Sequence, residues 1–280
     1  MARGPRLTLL EVLRRATDHL AAHGSSSPRL DAEVLLAHAL KLRRLDLYLQ
    51  HDRPLTEAEL APCRELVAQR ARGVPVAYLV GRKEFMKLDF EVTPAVLVPN
   101  PDTEVLVERA VSWARERGRQ LRVADVGTGS GCIAIAVAHY VPTVTVWATD
   151  NDPAALEVAA RNVRAHGLED RVHLACGDLL DPLPTDLDLV CANLPYVAEG
   201  AVLPAEVMAQ PARALFAGEG GVALINRLLA EAPAKLAAAG TVLVEIDPSL
   251  QPRLHLAPYA GHRFHHDLSG RTRVLEAWIV

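Results

Sequence analysis

A loop of three alternating glycines, placed directly after an apolar strand, constrains the fold of this chain most. The strand ends in an acid, Asp125, and an apolar helix follows the loop. The loop residues are Gly127, Thr128, Gly129, Ser130 and Gly131. Glycines at these positions let the backbone approach a ligand closely, and the N-terminus of the next helix offers free N–H groups. The segment therefore predicts a ligand-binding strand-to-helix turn of an α/β domain.

From residue 102 onward, apolar strands and amphipathic helices alternate. Strands are predicted at 121–126, 143–149, 171–176, 187–192 and 241–246, and helices at 103–117, 131–140, 153–166 and 221–238. Strands separated by helices of this length form βαβ units, in which a parallel sheet is covered on both faces. The segments 263–266 and 274–280 predict a closing antiparallel pair. Residues 102–280 are therefore predicted to form one α/β domain.

The first 75 residues have helical patterns instead. Thr8-x-x-Glu11 and Thr56-x-x-Glu59 are capping boxes, which mark the starts of helices. Two short apolar runs within residues 76–101 predict a β-hairpin that turns at residues 93–95. The predicted organisation is a small all-α domain (1–75), a hairpin linker (76–101) and the α/β domain (102–280).

Charge and cysteine usage narrow the class of protein. Residues 1–75 hold 12 Lys+Arg against 9 Asp+Glu, a net charge of +3, whereas the remainder holds 18 against 25, a net charge of -7. An acidic α/β domain argues against binding nucleic acid through bulk electrostatics. The four cysteines form no CxxC pair, which is typical of reduced thiols in the cytoplasm. We identify no signal peptide and no apolar run long enough to cross a membrane.

The spacing of the glycines distinguishes between cofactors. A dinucleotide fingerprint needs its third glycine at position 132, where this chain has Cys132. This disfavours an NAD-dependent oxidoreductase. The D-x-G-x-G-x-G form resembles motif I of the class I S-adenosylmethionine-dependent methyltransferases. The resemblance implies that Asp150, at the end of the next strand, accepts the ribose hydroxyls, and that Asp178 and Leu179 lie beside the adenine.

A second motif, Asn193-Leu194-Pro195-Tyr196, follows the fourth strand of the α/β domain. It resembles the motif of methyltransferases that modify a planar nitrogen, whose conjugated lone pair makes it a poor nucleophile. The Asn193 side-chain oxygen and the Leu194 carbonyl can accept the two hydrogens of such a nitrogen and aim its lone pair at the methyl group. Pro195 stiffens the loop, and Tyr196 covers the planar group.

Further motifs resemble the HemK/PrmC family of release factor glutamine N5-methyltransferases over essentially the whole chain. They comprise Tyr78, Gly81 and Glu84-Phe85, the segment Pro99-Asn100-Pro101-Asp102-Thr103-Glu104, and Glu245-Ile246 with Gln251. The resemblance implies a Rossmann-like class I methyltransferase domain, with a seven-stranded, mostly parallel sheet whose last strand is antiparallel. It also implies methyl transfer from S-adenosylmethionine to the glutamine of the Gly-Gly-Gln motif in class I peptide chain release factors.

Carried over by position, the resemblance assigns two sets of residues. The catalytic set is Asn193, Leu194, Pro195 and Tyr196. The cofactor-binding set is Asp125, Gly127, Thr128, Gly129, Ser130, Gly131, Asp150, Asp178, Leu179 and Asn193. No metal is expected, because His262, His265 and His266 lack acidic or cysteine companions at ligand spacing. We expect a cytoplasmic monomer whose partner is a release factor, with no membrane and no direct nucleic acid contact.

Three departures from the family pattern leave alternatives open. The usual Asn-Pro-Pro-Tyr has Leu194, Pro-Arg-Pro has Asn100, and Glu-Ile-Gly has Asp247. Asn-Leu-Pro-Tyr is also the form found in adenine dimethyltransferases that act on ribosomal RNA. The alternatives are therefore an N6-adenine methyltransferase on RNA or DNA, and a relative that binds a release factor without catalysis.

Overall fold

The computed structural model describes residues 7–217 and 221–280. The basic residues Arg3 and Arg6, in the segment where no signal peptide is predicted, lie outside the described residues. The chain divides into two compact units. One comprises residues up to Gly81 together with Leu203–Ala209, and the other comprises Arg82–Val202 and Gln210–Val280. The predicted domain boundaries at 75 and 101 thus differ from the observed division, and the return of residues 203–209 to the first unit has no counterpart in the predicted organisation.

The elements are as follows. The helices are α1 (Leu9–Ala22), α2 (Pro28–Leu40), α3 (Asp46–Leu49), α4 (Glu57–Ala71), α5 (Val76–Val80), α6 (Glu104–Arg117), α7 (Cys132–Tyr140), α8 (Pro153–Ala165), α9 (Ala205–Met208), α10 (Ala212–Leu215) and α11 (Ala223–Glu231). The strands are β1 (Arg82–Phe85), β2 (Leu88–Glu91), β3 (Leu121–Val126), β4 (Val144–Asp150), β5 (Val172–Cys176), β6 (Leu187–Ala192), β7 (Leu236–Glu245), β8 (Gly261–His266) and β9 (Thr272–Trp278).

The first unit is helical and has its own core. Both predicted capping boxes are present, so α1 and α4 begin where the sequence places them. The core includes leucines from α1, α2 and α3 together with Cys63 and Val67 of α4. A buried arginine, Arg70 of α4, joins this core to the returning segment: its guanidinium binds Asp31 at 2.7 Å and also Glu206 of α9.

The hairpin of residues 82–91 corrects the predicted turn. Strands β1 and β2 turn at Met86 and Lys87, not at residues 93–95, and residues 96–98 form no strand. Met86 and Lys87 both have positive φ, 50° and 58°, as a type I′ turn requires. Such turns usually carry asparagine or glycine, so the sequence has no signal for this one. The Glu104 carboxylate holds the turn by accepting from the Met86 N–H at 2.8 Å.

The second unit contains a seven-stranded sheet in the order β5-β4-β3-β6-β7-β9-β8. Strands β3 to β7 are parallel, and β9, the last strand in the chain, is antiparallel to both of its neighbours. The predicted sheet is confirmed. Helix α11 is shorter than its prediction of 221–238, because Pro233 lies in a 3-10 turn that ends it and β7 already begins at Leu236.

The strand order places the functional loops at one edge of the sheet. The chain moves from β3 outward to β5, then returns to pair β6 on the other side of β3. Val126 pairs with both Thr149 and Ala192, so the residues that follow β3, β4 and β6 leave the sheet at the same edge. Ligands bind at such a switch point in open α/β sheets. In the described residues, no helix is long and apolar enough to cross a bilayer.

Candidate active site

The glycine loop between β3 and α7 has the backbone that its sequence predicts. Gly127, Gly129 and Gly131 have φ of 73°, 54° and 82°, which side chains other than glycine rarely adopt. Space is a second constraint at two positions. A Cβ on Gly131 would lie 3.1 Å from Ile135 Cδ1, and one on Gly127 would lie 3.0 Å from the side chain of Leu194. The loop therefore approaches both its own helix and the loop after β6.

Asp125 holds this loop from beneath. Its Oδ2 accepts from the Thr128 hydroxyl at 2.6 Å and from the Ala134 N–H at 3.1 Å. The side chain is 1% exposed, and Oδ1 has no hydrogen-bond partner within residues 7–217 and 221–280. Burial raises the pKa of Asp125 to about 7, and the nearby charge of Asp150 adds to the rise. The structure thus places Asp125 under the loop rather than on the cleft surface.

Asp150, at the end of β4, faces the glycine loop. Its Oδ2 accepts from the Gly129 N–H at 2.9 Å, and its Oδ1 accepts from the Asp152 N–H at 3.0 Å. The side chain that caps α8 is Asp152, which accepts from Ala154 and Ala155. Asp150 is therefore not engaged as a helix cap and lies at the cleft.

Leu179 and Asp178 follow β5 on the far side of Asp150. The Leu179 carbonyl accepts from the buried hydroxyl of Thr149 at 2.9 Å, and Leu179 has a positive φ of 41°. Asp178 is exposed and pairs with Arg227 of α11. Both residues line the same cleft as the glycine loop.

The Asn-Leu-Pro-Tyr loop leaves β6 opposite these residues. The Asn193 Nδ2 donates to the Thr103 hydroxyl at 3.0 Å. Leu194 is buried and packs against Gly127. The leucine that stands here in place of the family's proline therefore contacts the glycine loop. Tyr196 is half-buried, and its hydroxyl lies 3.5 Å from Glu245 Oε1.

Glu245 and Thr103 extend the site beyond the residues assigned from the sequence. Each is 2% exposed. Burial raises the pKa of Glu245 to about 7, and the neighbouring Thr103 side chain opposes the rise. Asp102, next to Thr103, pairs with Arg273 of β9 at 2.8 Å. The family motif contains Asp102, Thr103 and Glu245, but only the folded chain brings the first two to the end of β7.

The other two departures from the family pattern have local structural roles. Asn100 caps the 3-10 turn Pro101–Thr103 by accepting from the Asp102 N–H at 3.1 Å. Asp247 caps a second 3-10 turn by accepting from the Ser249 N–H at 3.0 Å. Asparagine and aspartate are preferred cap residues, and the proline after each is typical of the first helical position.

One cleft collects most of the assigned residues. Ten assigned residues line this cleft, and they come from the glycine loop, the ends of β4 and β5, and the Asn-Leu-Pro-Tyr loop. They are Gly127, Thr128, Gly129, Ser130, Asp150, Asp178, Leu179, Asn193, Leu194 and Pro195. Asp125, Gly131 and Tyr196 lie behind this surface. The segment Ala95–Asn100 and Arg213 also line the cleft, and neither was assigned to the site from the sequence.

Comparisons with known proteins cover nearly the whole chain. The family model described as the PrmC N-terminal domain matches residues 11–81, and the methyltransferase small domain model matches residues 101–238. The release factor glutamine methyltransferase of Moorella thermoacetica is 44% identical, over 97% of this chain and 99% of that protein. The protein of the same name from Rhodopirellula baltica is 38% identical, over 96% and 95%. This chain belongs to the release factor glutamine methyltransferase family. The resemblance identified from the sequence motifs is confirmed.

Solved structures agree on the fold of the larger unit. The hMettl16 catalytic domain, in complex with an RNA hairpin, has a TM-score of 0.54 at 18% identity, covering 76% of this chain and 81% of that chain. The 16S rRNA methyltransferase RsmC of T. thermophilus, in complex with AdoMet and guanosine, has a TM-score of 0.53 at 18% identity, covering 71% and 50%. At such identities, the similarity shows the fold alone. It confirms the Rossmann-like class I methyltransferase fold.

The cofactor of this methyltransferase is S-adenosylmethionine, and the cleft fits it. Because Gly127 has no side chain, the backbone of the glycine loop stays accessible at this position, where a Cβ would lie 3.0 Å from the Leu194 side chain. The Asp150 carboxylate stands at the end of the adjacent strand, where it can accept two hydroxyl groups. The assignment of individual cofactor-binding and catalytic residues remains a prediction.

Proposed function

We propose that this protein methylates the side-chain amide nitrogen of a glutamine, that of the Gly-Gly-Gln motif in class I peptide chain release factors. The observation that supports this most is the full-length similarity to release factor glutamine methyltransferases, together with Asn193 anchored at the cleft. In this role the protein modulates translation termination.

The chemistry assigns the two loops different tasks. S-adenosylmethionine supplies a methyl group on a sulfonium, which is an activated leaving group. Gly127 to Gly131 and Asp150 hold the cofactor, with Asp178 and Leu179 beside the adenine. Asn193 Oδ1 and the Leu194 carbonyl accept the two amide hydrogens, which favours pyramidalisation of the nitrogen and directs its lone pair. Pro195 restricts the loop, and Tyr196 covers the amide plane.

The helical unit is proposed to recognise the release factor. Residues 1–75 carry a net charge of +3, whereas residues 76–280 carry -7. A unit with a net positive charge is suited to an acidic surface on a partner. We further propose that the protein works in the cytoplasm as a monomer.

One specific observation supports the adenine alternative, namely Leu194 in the Asn-Leu-Pro-Tyr motif. The acidic charge of residues 76–280 opposes it, because proteins that hold RNA or DNA usually present a basic surface. Methylation of adenine is therefore the outcome that would contradict the proposed function.

The test incubates the protein with labelled S-adenosylmethionine and, in parallel, a purified release factor and total RNA. Label at the glutamine of the release factor is expected. Label in RNA alone would support the adenine alternative, and cofactor binding with no label in either would support a non-catalytic relative.

Two variants test the division of tasks. Asn193→Ala should abolish transfer while leaving the affinity for S-adenosylhomocysteine within about three-fold, since nine of the ten residues assigned to cofactor binding are unchanged. Asp150→Ala should weaken that affinity at least about ten-fold, because it removes a carboxylate that accepts hydrogen bonds. Both affinities are measured by calorimetry. Equal losses of affinity in the two variants would contradict the assignment.

A further inference from the structure

The Asn193 amide is held from outside its own loop. Its Nδ2 donates to the Thr103 hydroxyl at 3.0 Å, although the two residues are 90 positions apart. Thr103 is 2% exposed, so water does not compete for this contact. An amide has a donor end and an acceptor end of nearly equal shape, and the partner at one end decides which group points the other way.

Glu245 lies where it can determine which end of the amide Thr103 accepts. Its carboxylate, at the carboxyl end of β7, lies beside the Thr103 side chain, and its Oε1 accepts from the Tyr196 hydroxyl at 3.5 Å. An ionised carboxylate only accepts hydrogen bonds, so it can take the hydroxyl hydrogen of Thr103 but cannot supply one. The hydroxyl oxygen is then left to accept, and it selects Nδ2 of Asn193. Oδ1 is thereby left for a donor in the cleft.

We propose that Thr103 and Glu245 are positioning residues that orient the Asn193 amide, so that its oxygen rather than its nitrogen meets the amide hydrogens of the substrate. The inference rests on the proposed function of Asn193. With the amide reversed, Nδ2 would face the N–H groups of the substrate, donor against donor, and the acceptor needed to pyramidalise the nitrogen would be lost.

The surroundings of Glu245 make the orientation of the Asn193 amide sensitive to protonation of the Glu245 carboxylate. Its side chain is 2% exposed, and Oε2 has no hydrogen-bond partner within the part of the chain that the structure describes. A protonated Glu245 can donate to the Thr103 hydroxyl, which then donates to Asn193 and reverses the amide. Transfer should therefore increase with pH as Glu245 ionises. The charged and titratable groups around it come from several elements, namely Asp102, Cys132, Tyr196 and Arg273.

The first test replaces the hydroxyl of Thr103 without changing the shape of the side chain. Thr103→Val should lower kcat about 10- to 100-fold, with the affinity for S-adenosylhomocysteine unchanged within about two-fold, because the contact between Thr103 and Asn193 acts on the substrate side. Thr103→Ser keeps the hydroxyl and should restore kcat to within about three-fold of the wild type. Equal losses in the valine and serine variants would overturn the proposal.

A double-mutant cycle tests whether Thr103 acts through Asn193. Asn193→Asp places two equivalent oxygens at this position, so it has no donor end to be oriented. In this background Thr103→Val should change kcat by less than about three-fold, measured in single turnovers. The same large loss in both backgrounds would show that Thr103 acts elsewhere, and would overturn the inference.

Glu245→Gln provides a second route should the valine variant fail to fold. Its amide can donate to Thr103 at any pH, so kcat should be reduced and should lose the rise with pH seen in the wild type. A variant with the kcat and pH profile of the wild type would refute the role of Glu245. If the wild type labels RNA instead of the release factor, the proposed function fails, and the same variants measured on that RNA still test the positioning role.

Discussion

Replacing the buried acid beneath the glycine loop should change how stability depends on pH. Asp125→Asn keeps an oxygen for the two donors, Thr128 and Ala134, and removes the ability to ionise. The unpartnered Oδ1 becomes an unpartnered Nδ2, which costs about 1–3 kcal/mol at every pH. The informative quantity is therefore the difference between the two proteins as pH changes.

The magnitude follows from the pKa of Asp125, which burial raises from 3.8 to about 7. The folded state keeps its proton in a range where the unfolded chain has lost it, so the contribution to stability is complete below pH 3.8. It falls as pH rises and is lost above about pH 7. At about 1.4 kcal/mol per pKa unit, the wild type should lose about 3 kcal/mol relative to Asp125→Asn between about pH 5 and pH 8.

Urea unfolding followed by circular dichroism, without cofactor, measures this difference at each pH. Glu245 also has a raised pKa of about 7, but it is present in both proteins and cancels in the difference. A difference constant within about 0.5 kcal/mol from pH 5 to pH 8 would refute the reasoning. It would mean that Asp125 ionises in the folded state at its ordinary pKa.

Two further substitutions test contacts that support the site. Gly221→Ala places a Cβ on the Tyr196 carbonyl oxygen and should lower transfer at least about ten-fold. The control is Gly200→Ala, which has a similar φ of 83° and no atom of the described residues within 4 Å of its Cβ. This control should keep transfer near that of the wild type. Equal activities in a methyl-transfer assay would contradict this. Asn162→Ala removes the amide that pairs with the Glu91 N–H at 2.8 Å and the Glu91 carbonyl at 3.0 Å. Because these backbone groups lose their partners, the free energy of unfolding in urea should fall by about 2–4 kcal/mol. A loss below about 0.5 kcal/mol would show that water replaces the amide.

Local patterns in the sequence predicted the parts of the molecule that depend on neighbouring residues. The glycine loop, the capping boxes of Thr8 and Thr56, and the strands that alternate with helices all follow from periodicity and turn chemistry. The parallel direction of most strands follows from the same alternation, because parallel strands need crossover connections. These features required no knowledge of distant contacts.

What the sequence did not predict depends on contacts between distant residues or on unusual local conformations. The turn at Met86 and Lys87 has positive φ without glycine or asparagine, and Glu104 stabilises it from outside the hairpin. The bond between Thr103 and Asn193 joins residues that no periodic pattern relates. Such contacts form only when α6 and β6 pack within one unit.

The helical unit is discontinuous in the chain, and this has a practical consequence for its isolation. Its buried Arg70 takes one carboxylate from within the first 81 residues and another from Glu206. A fragment that ends at Gly81 would contain Arg70 and Asp31 but not Glu206. The complementary fragment would retain α9 without the residues against which it packs, including Gly73, whose Cα lies close to Ala205. Neither fragment would therefore contain the whole helical unit.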